Sequence, residues 1–278
     1  MDKLLQRVPQ LNSELLQSGG LTLSKADTMI ENVVGRVTLP LAIAPNFVIN
    51  RKSYIVPMCI EEPSVVAASS SIAKMIAPYS FTTSSTPSIM IGQVHLPEIE
   101  SAEVHLLLNN KKKIINSLNA TVESLQKRGG GVEDMRIRRI NEKNSVAELI
   151  VGVCEAMGAN IVNTLCERFK NEITQYGIKC GIAVLTNYCT ERLAMSTFEI
   201  PLKDMEWKGH EGSEVAQKVL EAYEFAKVDK HRAATHNKGI LNGIDGVCLA
   251  SGQDWRAVES ASHVYASRSG HYQPLTRY

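Results

Sequence analysis

Three consecutive glycines, Gly129-Gly130-Gly131, set the punctuation of the middle of this chain. Each costs a helix about 1 kcal/mol relative to alanine, so no helix runs through them. Before them, the segment Lys111 to Arg128 places Ile114, Ile115, Leu118, Val122 and Leu125 on one helical face. Lys127 and Arg128 suit the negative end of that helix, and the glycines stop it. Upstream, Ile89-Met90-Ile91-Gly92-Gln93-Val94 and Ala102-Glu103-Val104-His105-Leu106 alternate like strands. Downstream come strands at Asp134 to Ile140 and Val146 to Val153. A helix from about Asn160 follows, with Val162, Leu165, Phe169 and Ile173 inward, then a strand at Lys179 to Leu185. This β-α-β-β-α-β order predicts a ferredoxin-like α+β unit over residues 89–186.

The flanks read differently. Met1 to Gly35 reads as helical, with Gly35 a stop after Thr28 to Asn32. Strands are expected at Asn46 to Ile49 and Ser53 to Met58. A helix then opens at Glu61-Glu62-Pro63-Ser64 and runs to about Ile76, with Pro63 at its first position. Ser80 to Ser88 reads as a loop and a boundary, and helical signals return from Glu214. The fold expected is α+β: a larger, mostly helical domain from residues 1–88 and 187–278, with the smaller unit inserted into it.

Charge narrows the function classes. Lys plus Arg number 30 against 29 Asp plus Glu, a net charge of +1, so nothing draws the chain to nucleic acid. The compact run Lys111 to Lys113 reads as a solvated helix face. No apolar stretch approaches the roughly 18 residues a membrane span needs, and the charged N-terminus lacks a signal core. Six cysteines are scattered without a Cys-x-x-Cys pair. That usage predicts a reducing, cytoplasmic setting and no thiolate metal site.

Five segments carry the chemistry. They are Glu31 to Gly35 (ENVVG), Glu61 to Ala68 (EEPSVVAA), Glu155 to Asn160 (EAMGAN) with Val162-Asn163-Thr164, Thr235 to Asp245 (THNKGILNGID), and Gly252 to Ala257 (GQDWRA). Taken singly, each has an ordinary explanation. Lys238 reads as a surface lysine, Asp254 as a helix N-cap, and Glu62 as a carboxylate on a helix dipole. The turn Met157-Gly158-Ala159-Asn160 joins a strand to a helix N-terminus, suited to a phosphate or to tight helix packing. No Gly-x-Gly-x-x-Gly accompanies it, so a Rossmann domain is not supported.

In this order and over most of the chain, the five segments resemble the class II hydroxymethylglutaryl-coenzyme A (HMG-CoA) reductase family. The resemblance implies an oxidoreductase of mevalonate and isoprenoid metabolism that reduces HMG-CoA to mevalonate and CoA with two NAD(P)H, or runs the reverse. By residue, it implies that Lys238 stabilises the oxyanion and Glu62 is the acid. Asp254 hydrogen-bonds both. Arg232 and Ser64 contact the substrate carboxylate, and Thr235 and Asn242 suit its polar groups. Met157, Gly158, Ala159 and Asn160, with downstream Asn187, lie along the dinucleotide. Glu31 to Gly35 matches a segment tied to the CoA side and to a homodimer with shared active sites. A general acid at Glu62 needs burial or a second carboxylate, for which Asp254 is the candidate, to raise its pKa.

Two departures from the family follow. NADH-preferring relatives carry an aspartate where this chain has Val122, and Lys127 and Arg128 are close in sequence, which favours NADPH, although Glu123 is adjacent. Relatives also continue past the segment matching Ser269 to Tyr272 into a flap bearing a catalytic histidine, whereas this chain stops at Tyr278. His236, His263 and His271 fall where other roles are expected. The flap is therefore expected to be absent, with thioester reduction severely reduced and mevaldehyde reduction less affected. The alternatives are a non-catalytic CoA-binding or dimerisation remnant of the enzyme and an unrelated acyl-CoA-binding protein.

Overall fold

The computed structural model describes residues 20–278. Its centre is a four-stranded antiparallel sheet built from β4 (Ile89–Pro97), β5 (Gly131–Arg139), β6 (Asn144–Gly152) and β7 (Ala183–Thr186), in the order β5-β6-β4-β7. Two β-α-β units interlock in this order, each leaving room for a strand of the other. Along β4 the period-2 rule divides the residues cleanly. Met90, Val94 and Leu96 enter the main core, while Ile89 and Ile91 join Ile150 on the other face. At Gly92 a Cβ would lie 2.3 Å from Cys166 Sγ, so the absence of a side chain lets helix α6 (Ala159–Thr174) press against β4. Val162, Leu165, Phe169 and Ile173 of α6 are fully buried there, as their spacing predicts.

The connection from β4 to β5 departs from its sequence reading. Ala102 to Leu106 belong to a helix, α3 (Ser101–Asn109), not to a strand. The alternation there is local. The Glu103 carboxylate accepts from the Glu100 N–H at 2.8 Å and closes the helix start, and Leu107 supplies the buried contact. The long helix expected over Lys111 to Arg128 is two pieces, α4 (Lys111–Asn119) and α5 (Glu123–Gln126). Asn119 turns its amide to Val132, donating to the carbonyl at 2.9 Å and accepting from the N–H at 2.7 Å. Thr121 and Val122 follow, both weak helix formers. Gly129 ends the segment in the left-handed region, at φ 86°.

The elements before and after this unit in the chain pack mainly with one another. Residues 1–19 of the expected N-terminal helices lie outside the described residues; in the rest of that stretch, α1 (Leu23–Asp27) is the only helix. Thr28 to Asn32 are not helical, Asn32 adopts φ 58°, and Val34 is fully exposed. A hairpin of β1 (Leu41–Ile49) and β2 (Lys52–Cys59) leads to α2 (Val65–Ile76). Pro63 is not at the first helical position, because Ser64 caps the helix in a left-handed conformation, φ 71°. The supposed loop Ser80 to Ser88 contains β3 (Thr82–Ser85), which pairs antiparallel with β8 (Ala194–Thr197). The chain leaves for the central sheet and returns from it through this ribbon. Three helices complete the described chain: α7 (Gly212–Val228), α8 (Lys230–Ala250) and α9 (Trp255–Ala266). No helix among the described residues is long and apolar enough to cross a membrane.

Candidate active site

Helix α8 organises the site. Ala233, Asn237 and Leu241 recur every four residues and are buried. Arg232, Thr235, Lys238, Gly239 and Asn242 fall on a different arc of about 120°, given 100° per residue. One turn beyond Asn242, Gly246 lies against β2: a Cβ there would meet Met58 Cε at 3.2 Å and Ile60 Cβ at 3.8 Å. This close approach brings the chain beyond β2 alongside the helix. The Lys238 ammonium forms an ion pair with the Glu62 carboxylate, and the Asn242 side chain adds a small effect that favours its charged form. Residues 176 positions apart in sequence thus share one charge cluster.

The electrostatics follow from that geometry. Lys238 and Asn242 hold the Glu62 carboxyl below its ordinary value, against a smaller opposing effect of desolvation. This is opposite to the upward shift that a general acid requires. Ser64 sits two residues on, exposed, in its left-handed turn. Arg232 is half-buried in the first turn of α8, where Asp229 caps the helix by accepting from the Arg232 N–H at 3.0 Å. Thr235 is exposed, and its hydroxyl donates back to the His231 carbonyl at 3.4 Å.

Asp254 stands apart from this cluster. Its carboxylate caps α9, accepting from the Ala257 N–H at 3.1 Å. Between Lys238 and Ala250 the helix advances about 18 Å at roughly 1.5 Å per residue, and the Gln253 N–H closes the turn onto the Cys248 carbonyl. Within one chain, Asp254 is therefore at the far end of α8, beyond the reach of Lys238.

A second cluster forms at the start of α6. Gly158 caps that helix at φ 99°, without any side-chain cap, and a Cβ there would lie 2.7 Å from Val153. The first N–H groups of α6, from Ala159 and Asn160, are left without a side-chain acceptor. The segment after β7 comes close: Arg192 donates to the Met157 carbonyl at 3.3 Å, and Cys189 Sγ lies 3.5 Å from Met90 Sδ. Asn187 is exposed in this segment. Nearby, Val122 packs partly buried against the core, while Glu123 and Lys127 line a shallow cavity of about 420 Å³.

Two residues were not singled out from sequence. Asn237 is fully buried, donating to the Gln273 carbonyl and accepting from the Leu275 N–H, both at 2.9 Å. An asparagine midway between Ala233 and Leu241 on the buried arc is the signal that marks it. Asp245 has one buried carboxylate oxygen without a hydrogen-bond partner, and burial, then Glu259, pushes its pKa up.

The chain is similar to known proteins over most of its length. The 3-hydroxy-3-methylglutaryl-coenzyme A reductase of Archaeoglobus fulgidus is 44% identical over 270 residues, which cover 94% of this chain and 60% of that protein. A probable 3-hydroxy-3-methylglutaryl-coenzyme A reductase of Borreliella burgdorferi is 34% identical over 253 residues, covering 90% of this chain and 58% of that one. The chain thus spans about 60% of the length of these curated relatives. Among solved structures, the class II enzyme from Streptococcus pneumoniae bound to NADPH in open conformations is similar, with a TM-score of 0.92 and 36% identity. That match covers 98% of this chain and 77% of the other. The hydroxymethylglutaryl-coenzyme A reductase family matches residues 2–277, and the chain belongs to that family.

Proposed function

We propose that the chain performs the chemistry of its family, NAD(P)H-dependent reduction of HMG-CoA to mevalonate and CoA or the reverse. The observation that carries this reading is the Lys238–Glu62 pair with Asn242 beside it. Reduction of a thioester carbonyl puts negative charge on its oxygen, and a fixed ammonium stabilises that oxyanion. Lys238 takes this role. Glu62, hydrogen-bonded to it, is placed to pass a proton to the same oxygen. Substrate that separates the carboxylate from Lys238 would remove the main cause of its lowered pKa and let it hold the proton it is to deliver more readily. Arg232 offers the paired donors that hold a carboxylate, with Ser64 and Thr235 as further polar contacts.

The coenzyme belongs, in this reading, to a ferredoxin-like domain of residues 89–186 inserted into a substrate domain of residues 1–88 and 187–278. The uncapped α6 N-terminus fits a dinucleotide phosphate, since a helix start favours anions and Gly158 leaves the backbone uncovered. Met157, Gly158, Ala159 and Asn160 would line the phosphates, with Asn187 toward the nicotinamide. Bound there, the nicotinamide supplies the hydride. NADPH is favoured over NADH because no carboxylate replaces Val122 and Lys127 is near, with Glu123 opposing. Asp254 completes the site from a second copy, so the working unit is a homodimer with shared active sites.

Steady-state turnover of HMG-CoA with each coenzyme, set beside calorimetric binding of CoA, tests the proposal. Turnover supports it. Binding of CoA without turnover of HMG-CoA or mevaldehyde would favour a non-catalytic CoA-binding or dimerisation module instead.

A further inference from the structure

Asn237 has no place in the chemistry above, yet it is among the most constrained polar side chains described. It is fully buried, and each end of its amide is used: Nδ2 donates to the Gln273 carbonyl and Oδ1 accepts from the Leu275 N–H, both at 2.9 Å. One residue earlier, His236 Nε2 lies 2.9 Å from Thr276 Oγ1. Residues 273–276 therefore form a strap along one side of α8. Asn237 and Lys238 are consecutive, so their side chains leave the helix 100° apart. Turning α8 about its axis would break both bonds of Asn237 and carry the Lys238 ammonium away from Glu62.

We propose that Asn237 is a positioning residue, which locks the strap to α8 and so fixes the rotation at which Lys238 meets Glu62. The inference rests on the reductase reading for its meaning in catalysis, but the readout that decides it is the titration of Glu62 and not activity. The Glu62 carboxyl reports the closeness of Lys238 directly, because Lys238 is the charged group that shifts it among the described residues. Glu62 is titrated by carbon NMR in glutamate-labelled chain, its signal assigned with Glu62→Gln. Lys238→Met sets the limit, a midpoint raised toward the ordinary 4.5.

Asn237→Ala is expected to raise the midpoint most of the way to that limit while Lys238 is still present. Leu275→Pro removes the N–H that Asn237 accepts and leaves α8 unaltered. It should raise the midpoint in the same direction, and it serves if Asn237→Ala does not fold. A folded Asn237→Ala or Leu275→Pro chain that is less stable but keeps the wild-type Glu62 midpoint overturns the proposal, because Asn237 would then brace the fold without aiming Lys238. Loss of turnover with an unmoved midpoint counts against Asn237 and leaves the reductase reading intact.

Discussion

Gly246 of α8 packs directly against Met58 of β2, with room for a methyl group only if the Met58 side chain gives way. The contact sets the spacing between the helix that carries Lys238 and the chain that leads to Glu62. Gly246→Ala should be tolerated, since Met58 Cε is the flexible end of its side chain. A valine would also press on Met58 Cβ and Ile60. Gly246→Val should cost about 1–3 kcal/mol through overpacking, visible in thermal melts, and should lower turnover by parting Lys238 from Glu62.

Gly158 makes a demand at the other cluster. At φ 99°, and with Val153 2.7 Å from where a Cβ would stand, Gly158→Ala must shift the start of α6. Coenzyme KM should rise roughly tenfold or more, an effect of about 1.4 kcal/mol on binding, with less change in the KM for the acyl substrate. Equal changes in both would argue against a coenzyme role for this turn.

Asp245 predicts a pH dependence. Burial, then Glu259, raises its pKa above the ordinary 3.8, and His263 opposes them. The folded chain then holds this proton more tightly than the unfolded chain, so the stabilisation is complete below pH 3.8 and lost as pH rises through the folded value. Above the folded value the ionised carboxylate, with one buried oxygen lacking a partner, is a burden. Asp245→Asn should melt at a higher temperature than the parent at pH 7, with the advantage shrinking as pH falls toward 4. An unchanged gap across that range would contradict the assignment.

Legibility in the sequence followed the range of the interactions. Helix α6 was readable because Val162, Leu165, Phe169 and Ile173 recur at the helical period and all meet one sheet. Strands β4 and β6 were readable because their burial is nearly continuous, whereas the strand expected at Lys179 to Leu185 is only β7, Ala183–Thr186, too short and too unevenly buried to mark its own start. Ala102 to Leu106 misled because five residues can alternate by chance, while the deciding contacts, the Glu100–Glu103 cap and Leu107, lie at its edges. The split between α4 and α5 depends on Asn119 reaching Val132 across the Gly129 turn, which no local pattern announces. In the site, Lys238 and Glu62 were found through motif resemblance and are brought together by the fold. Asp254 was found in the same way, but within one chain it caps α9, as its position before Trp255 had allowed.

The central claim is that the Lys238 ammonium stabilises the oxyanion formed when hydride reaches the substrate carbonyl. Mevaldehyde reduction isolates this step, since no thiolate leaves. The direct measurement is NADPH-dependent kcat/KM for mevaldehyde in the parent chain and in Lys238→Met. The account predicts measurable turnover in the parent and a loss of about 10²–10³-fold in the variant, the range for removing one oxyanion donor. A variant as active as its parent would contradict it.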